Sequence, residues 1–303
     1  MGNNKLVRYN WSIAICFCKD PISVSEPDSV FHPVLTGNSV TDVPASFVAD
    51  PFMIHHKEQW YLFFEVLNTT NNLGEIGMAH SKDLLNWTYD KIVLRENFHL
   101  SYPSILKYND KIYMIPESRQ GGGIRLYEAL DFPHEWKLTK TIIEGDYADP
   151  SIFYHQDKWW MFALKGTDEL HLFFANSPDG KWQLHPQCPL IPKSLVNTRP
   201  AGRPLYHNGR LLRFAQDGVP IYGNKVRAFE IEVLSTTVYK EHEITESPIL
   251  KASRKGWNSA AMHHIDPHQL PDGSWVTCVD GADISFLMPN KSNNSNTKSE
   301  WAL

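Results

Sequence analysis

The stretch that decides the fold begins Ala49-Asp50-Pro51-Phe52 and continues, after a polar turn at 57–59, into Trp60-Tyr-Leu-Phe-Phe-Glu65. The same plan returns four more times: a residue before proline, a polar turn, then an apolar and often aromatic run. The residues that precede the five prolines are Asp50, Tyr102, Asp149, Arg203 and Asp266. A repeat of roughly 50 residues is typical of a propeller, in which each repeat forms one four-stranded blade.

Each repeat begins with signals for two short strands, and the first four repeats carry signals for further strands. Polar turns such as Asn109-Asp110-Lys111 and Asn208-Gly209-Arg210 have hairpin chemistry and join the first strand to the second. Third strands are predicted at 74–80, 123–128, 169–175 and 225–231, and Trp87, Trp136 and Trp182 mark the start of a fourth. The fifth repeat shows neither a third nor a fourth strand before a Ser/Asn/Lys-rich tail.

We therefore predict an all-β protein. Residues 1–288 are expected to form a five-bladed β-propeller of four-stranded antiparallel blades, with the N-terminal strand around 11–16 completing the last blade. The polar tail at 289–303 is expected to be disordered.

The composition narrows the function classes. With 42 % apolar residues, 21 % charged residues and a net charge of −5, the chain has the composition of a globular protein. It lacks the basic patch that a nucleic-acid partner requires, and no apolar run approaches the roughly 20 residues of a membrane span. The few cysteines predict free thiols and a cytoplasmic location; they are Cys16, Cys18, Cys188 and Cys278.

Two sets of motifs resemble known families. The Asp-Pro blade starts and the Met78-Ala-His-Ser-Lys-Asp-Leu-x-x-Trp87 pattern resemble the clan of five-bladed glycoside hydrolases that includes arabinanases, xylosidases and fructosidases. A closer resemblance, to the N-terminal domain of plant glucosamine inositolphosphorylceramide transferases and its free-standing bacterial relatives, rests on strings such as Phe47-Val-Ala-Asp-Pro-Phe-Met-Ile54, Tyr113-Met-Ile-Pro-Glu-Ser118 and Met262-His-His-Ile-Asp-Pro-His268. The second resemblance implies the same fold and implies that a glycosyltransferase is a partner.

The blade-start residues are expected to form a ring at the mouth of the central channel. The resemblance to the hydrolases implies that Asp50 is the general base or nucleophile and that Asp149 orients the substrate and tunes the pKa of the acid. Cleavage of a glycosidic bond needs one protonated carboxyl group and one ionised carboxylate, and crowding carboxylates in one channel raises the pKa of at least one. The alternative for both aspartates is a turn-capping role before proline.

The general acid departs from the arabinanase pattern, because Gly202 stands where those enzymes place a Glu in the fourth blade. Glu117, at the end of the second strand of blade two, is the favoured acid. Glu65 is the second choice, and Asp266 is a further candidate. The alternative for Glu117 is a structural hydrogen bond to loop backbone.

Further channel residues are expected to contact the substrate; these are Glu65, Tyr102, Arg119, Arg203, His264, Asp266 and His268. Guanidinium groups at 119, 199 and 203 suit a carboxylate or phosphate on the ligand, and their alternative is a salt bridge to the channel aspartates. His264, Asp266 and His268 share one face of a strand, which suits a substrate contact or, alternatively, a channel cation such as Ca²⁺. We expect no metal and no cofactor.

These residues predict a glycoside hydrolase or transglycosidase that acts on a carbohydrate or glycoconjugate at the mouth of the channel. The alternative is a non-catalytic carbohydrate-binding or accessory propeller that serves a partner glycosyltransferase. The glycine at position 202 favours this alternative.

Overall fold

The computed structural model of the protein describes residues 6–24 and 32–287 and confirms an all-β, five-bladed propeller. The N-terminal strand is β1 (Leu6–Cys18). Blade one consists of β2 (Ala45–His56), β3 (Gln59–Asn68), β4 (Leu73–Ser81) and β5 (Thr88–Leu94). Blade two consists of β6 (Ser101–Tyr108), β7 (Lys111–Glu117), β8 (Gly123–Asp131) and β9 (Glu135–Glu144). Blade three consists of β10 (Tyr147–His155), β11 (Lys158–Lys165), β12 (Glu169–Ala175) and β13 (Gln183–Leu184).

The first strand of blade four is interrupted. The blade consists of β14 (Arg199–Pro200), β15 (Leu205–His207), β16 (Arg210–Asp217), β17 (Lys225–Leu234), β18 (Tyr239–Glu243) and β19 (Leu250–Lys251). Both β14 and β15 pair with β16, so together they occupy the innermost position.

Blade five is closed by the N-terminus, as predicted. Its strands are β20 (Ile265–Gln269) and β21 (Trp275–Leu287), and β1 pairs antiparallel with β21 from Leu6↔Leu287 to Cys18↔Trp275. An isolated bridge between Ile13 and Leu35 adds a fourth position to this sheet. The ring is therefore closed by backbone hydrogen bonds between the two ends of the described chain. The predicted tail at 289–303 lies outside the described residues.

The innermost hairpins have the turn geometry that their sequences predict. Both central residues adopt positive φ angles in the turns at 57–58, 109–110, 156–157 and 208–209. Two left-handed residues in a row are typical of the type I′ turn, whose twist matches that of the flanking strands.

The three tryptophans that predict outer strands make one repeated contact. The indole nitrogens of Trp87, Trp136 and Trp182 donate to the carbonyl oxygens of Leu84, Pro133 and Pro178 at 3.0, 2.8 and 3.0 Å. Each tryptophan thus fixes the turn into the outer edge of its blade.

The core lies between the blades. Five clusters of buried side chains each join two neighbouring blades, and representative pairs, in order around the ring, are Val276 with Leu62, Phe63 with Met114, Ile115 with Met161, Phe162 with Leu211, and Phe214 with Val279. The described helices are 3-10 segments at Gly37–Ser39, Arg119–Gly121 and Gly256–Asn258. Within residues 6–24 and 32–287, no helix has the length and apolarity that crossing a bilayer demands.

Candidate active site at the channel mouth

Three blade starts share an unusual backbone geometry. Asp50, Tyr102 and Asp149 have φ angles of 53°, 48° and 51°, and each sits at a register shift in the innermost strand. A bulge of this kind re-aims a side chain out of the regular alternation of the strand. Left-handed φ is costly for residues other than glycine and is frequent at functional sites. The three positions are therefore structurally equivalent, as the repeat predicts.

The predicted ring of five is wrong for blades four and five. In blade one, Trp60 pairs with His55, which is four residues after Pro51. In blade five, Trp275 pairs with Gln269, which is only two residues after Pro267. Counted from the hairpin, the residue that matches Asp50 in blade five is His264, and the match in blade four is Ala201. Arg203 and Asp266 therefore lie further along the channel than Asp50.

Arg203 and Asp266 pair with each other at that deeper level. The Nε atom of Arg203 is 3.0 Å from Oδ1 of Asp266, and Asp266 Oδ2 accepts from the backbone N–H of Met53 at 2.8 Å. His268 Nε2 lies 2.9 Å from the same oxygen. Although burial opposes it, the Arg203 guanidinium, with His268, holds the pKa of Asp266 well below its usual range. For Arg203 the salt-bridge alternative thus describes its main contact.

Asp149 is the centre of the polar network at the mouth. It is fully buried, and Arg199 Nε lies 2.5 Å from its Oδ2 with Nη2 3.4 Å from its Oδ1. Gln216 Nε2 donates to Oδ2 at 2.9 Å. Burial alone raises a carboxyl pKa, but the Arg199 charge holds the pKa of Asp149 below its usual value. Asp149 is therefore ionised.

Glu117 is in the opposite protonation state. Its carboxyl group hydrogen-bonds to Asp149, and Arg199 Nη2 is 3.7 Å from its Oε2. Burial, reinforced by the charge of Asp149, raises the pKa of Glu117 to about 8. Two carboxyl groups in contact share a proton because both cannot ionise cheaply, and here Arg199 assigns the charge to Asp149 and the proton to Glu117.

Asp50 has one carboxylate oxygen without a hydrogen-bond partner. Its Oδ1 is buried, makes no hydrogen bond with the described chain, and lies 3.9 Å and 3.8 Å from the Nδ1 atoms of His263 and His264. Burial and the charges of Asp149, Asp280 and Glu65 raise the pKa of Asp50 well above its usual value. The surrounding residues thus leave one acceptor of Asp50 unsatisfied.

Asp280 fixes the backbone beneath Asp50. Its carboxylate accepts from the backbone N–H groups of Asp50, His263 and His264 at 3.0, 3.1 and 3.0 Å. His263 Nδ1 contacts it at 2.9 Å, and Trp11 stacks on the His263 ring with centroids 4.0 Å apart. The Asp280 carboxylate therefore supports the strained residue at position 50.

Glu65 sits beside a histidine on the same rim. Nε2 of His99 is 3.2 Å from Oε1 of Glu65, and His99 Nδ1 accepts from the N–H of Gly74 at 2.9 Å. The Gly74 contact places the ring proton on Nε2, where it faces Glu65. With Oε1 of Glu65 engaged in this contact, Glu117 is the better placed proton donor.

Tyr102 and His264 form the floor of the site. Both side chains are fully buried, and their rings are 5.1 Å apart and in edge contact. The Tyr102 hydroxyl accepts from the N–H of Gly202 at 2.5 Å and contacts Ser151 Oγ at 2.6 Å. Burial lowers the pKa of His264 to about 4, so its ring is neutral. These two predicted substrate contacts lie below the surface that a ligand reaches first.

Asp50, Glu65, Glu117 and Asp149 form an acidic cluster at the channel mouth. Arg119 lies at the rim, outside this cluster. Its Nε donates to Oδ1 of Asp146 at 2.7 Å and its Nη2 donates to the carbonyl of Gly166 at 2.9 Å. Arg199 likewise adopts the salt-bridge alternative, through Asp149. The two arginines therefore share a rim but differ in the burial of their partners.

Among residues 6–24 and 32–287, Asp50, His263 and Asp280 form the group that could hold a metal, since their ligand atoms lie within 4.8 Å of one another. These are not the residues expected from the sequence, and the Asp280 oxygens already accept several N–H bonds. The donor set is thus largely committed to hydrogen bonding.

Several residues of the site escaped the sequence analysis. His99, Gln216 and His263 were not predicted, and Arg199 was predicted either to contact an anionic ligand or to form a salt bridge with the channel aspartates. Gln216 occupies the same repeat position as Glu65 and Glu117, so the repeat carried a signal for it. His99 lies in a loop outside the repeat and carried none.

Together these side chains can perform acid–base chemistry. A protonated carboxyl group on Glu117, an ionised Asp149 that holds the Glu117 proton in place, and an unpartnered oxygen on Asp50 lie at one end of the channel. Arg199 contacts two of the three and sets which of them is charged.

Comparison with solved structures agrees with this architecture. A thermostable family-43 glycoside hydrolase superposes with a TM-score of 0.56 at 15 % identity, covering 84 % of this chain and 96 % of that one. The catalytic domain of a GH62 alpha-L-arabinofuranosidase from Coprinopsis cinerea gives a TM-score of 0.59 at 10 % identity, covering 90 % and 97 %. At these identities the likeness establishes the fold alone.

Sequence comparison points to a different set of relatives. Glucosamine inositolphosphorylceramide transferase 1 of Arabidopsis thaliana is 36 % identical over 91 % of this chain, and the protein of that name from Oryza sativa subsp. japonica is 36 % identical over 90 %. The matched region is 39 % and 40 % of those proteins, so the chain spans well under half of their length. The profile of the family described as glucosamine inositolphosphorylceramide transferase 1, N-terminal, matches residues 11–282, and the chain belongs to that family.

Proposed function

We propose that this propeller is a glycoside hydrolase or transglycosidase that acts on a glycan or glycoconjugate at the mouth of its channel. The observation that carries the proposal is the division of charge between Glu117 and Asp149, which Arg199 imposes. A carboxyl group that keeps its proton up to a pH of about 8 is suited to protonate a leaving oxygen near neutrality.

The three carboxyl groups take different roles. Glu117 donates its proton to the glycosidic oxygen, and Asp149 holds Glu117 in position and keeps its pKa high. Asp50, whose Oδ1 is unpartnered, faces the anomeric carbon as the base or nucleophile. Asp50 must lose its proton for this role, and the positive charge that develops on the sugar in the transition state favours its ionised form.

The test is turnover of a panel of 4-nitrophenyl glycosides that covers common pentoses, hexoses and amino sugars. The wild-type protein should release 4-nitrophenol from at least one of them. Asp50→Asn should lower kcat by at least about 100-fold without changing the melting temperature appreciably. Asp157→Asn, in the exposed turn of blade three, is the matched control and should keep full activity. Undiminished turnover by Asp50→Asn would remove the assignment.

A second candidate is a non-catalytic carbohydrate-binding propeller that serves a glycosyltransferase. Two observations support it: the absence of a blade-four Glu at position 202, and sequence relatives that are named as transferases. Binding on a glycan array, with no product released from any bound glycan, would favour this candidate over the hydrolase.

A further inference from the structure

A cavity opens directly beside the acidic cluster. It has a volume of about 380 Å³, and apolar side chains form one of its walls: Leu164, Leu195, Pro220, Ile221 and Tyr222. Arg199 and Gln216, which both contact Asp149, also line it. The cavity and the acidic cluster therefore share a boundary.

Tyr222 and Arg199 form this boundary. The guanidinium of Arg199 lies 5.2 Å from the centre of the Tyr222 ring. The same ring makes an edge contact with His263, with centroids 5.3 Å apart, and His263 lies next to Asp50. His263 therefore lies between Asp50 and the Tyr222 wall of the cavity.

The apolar wall is open to solvent. Leu195, Ile221 and Tyr222 retain 57 %, 37 % and 45 % of their surface exposed. Single exposed apolar residues are ordinary, but several that line one concave site next to a polar cluster are typical of a ligand pocket. A volume of about 380 Å³ lies at the lower end of the range for such pockets.

We propose that this cavity is the subsite for an apolar aglycone, so that the ligand is an amphiphilic glycoconjugate with its sugar in the acidic cluster. The inference rests on the proposed function in that it takes the acidic cluster as the sugar site. A hydrocarbon chain and an aromatic aglycone share the chemistry that this wall recognises.

Methyl NMR on protein labelled at Ile and Leu methyl groups tests this subsite without any need for turnover. The probes are octyl β-D-glucoside below its micelle concentration, phenyl β-D-glucoside and, as the control ligand, methyl β-D-glucoside. We expect the octyl or the phenyl probe, but not the methyl probe, to shift the signals of Ile221, Leu195 and Leu164. Leu85 and Leu130 are more exposed, at 66 % and 63 %, but lie outside the cavity and serve as internal controls.

The relative response to the two probes identifies the aglycone class. If the subsite takes a chain, affinity should rise roughly two- to fourfold for each added methylene in a butyl-to-octyl series. If it takes a ring, the phenyl probe should bind more tightly than the butyl one. Ile221→Ser should weaken binding of the preferred probe at least about fivefold, and Leu85→Ser should leave it unchanged.

The proposal is overturned if no cavity signal shifts, or if Leu85 and Leu130 shift as strongly as Ile221. The result is separable from the fate of the proposed function. Shifts confined to the cavity, with no glycoside cleaved, would keep the subsite and remove the hydrolase. Glycoside turnover without such shifts would keep the hydrolase and remove the subsite.

Discussion

Glu117 and Asp149 show how strongly one cation can separate the pKa values of two similar side chains. Both carboxyl groups are nearly inaccessible to solvent, and they contact each other. Arg199 approaches Asp149 at 2.5 Å and Glu117 only at 3.7 Å, so the charge settles on Asp149 and the proton on Glu117. The sequence predicted both carboxyl groups, but not this division, because it depends on where a side chain from another blade ends.

The Arg199 contact has a consequence for stability. Arg199→Met leaves the fully buried Asp149 without its counter-ion, and breaking a buried pair in this way costs about 3–5 kcal/mol. The loss should be smaller at pH 5 than at pH 8, because Asp149 can take up a proton when the guanidinium is gone. Urea unfolding at both pH values measures this.

Arg119 provides the matched control for that prediction. Its side chain is as exposed as that of Arg199, 28 % in each case, but its partner Asp146 is 55 % exposed. Arg119→Met should therefore cost no more than about 1 kcal/mol. Equal losses for the two variants would show that Asp149 does not depend on Arg199.

Among the secondary-structure elements, the innermost strands were predicted least completely from the sequence. The turns and the strand order of blades one to three follow from the repeat, whereas the bulges at Asp50, Tyr102 and Asp149 were not predicted. The deeper placement of Arg203 and Asp266 does not follow from the positions of the prolines alone. The distance from each proline to the second strand of its blade does indicate it. Nine residues separate Pro51 from Trp60, but seven separate Pro204 from Leu211 and eight separate Pro267 from Trp275.

Gly202 explains why blade four has no acid at the arabinanase position. Its φ is 136°, and a Cβ atom there would lie 1.7 Å from the carbonyl oxygen of Ile265. Gly202→Ala should therefore prevent stable folding, as judged by circular dichroism and melting temperature. Gly209→Ala is the control, since its φ of 78° is also positive but its Cβ would meet open space. It should cost only about 1–2 kcal/mol. A folded Gly202→Ala protein with near-normal stability would contradict this packing.

At the scale of the whole molecule, the N-terminal strand closes the ring. Every residue of β1 pairs with β21, and Ile13 and Ala14 enter the clusters on the two sides of blade five. Sequence reasoning could predict this closure because the fifth repeat is short by the strands that the N-terminus supplies. It could not predict the bridge from Ile13 to Leu35, which has no counterpart in the repeat.

Deletion of residues 1–18 should therefore abolish cooperative unfolding, since it opens the ring and exposes both clusters to water. Dye binding to exposed apolar surface and the loss of a sharp thermal transition measure this. Deletion of residues 288–303 is the control and should leave the melting temperature within about 2 °C of the intact chain. A cooperative transition in the N-terminal deletion would show that β1 is dispensable.

The central claim is that Glu117 delivers a proton to a leaving oxygen. The direct measurement is the pH dependence of kcat for wild type and Glu117→Gln on two glycosides of one sugar, with alkyl and 2,4-dinitrophenyl leaving groups. Wild-type turnover of the alkyl glycoside should fall as pH rises through about 8, because the raised pKa leaves Glu117 protonated only below that value. Glu117→Gln should lose most alkyl turnover but keep most of its activity on the dinitrophenyl glycoside, whose leaving group needs no proton. Equal losses on both glycosides, or an unchanged alkaline limb in the variant, would contradict the account.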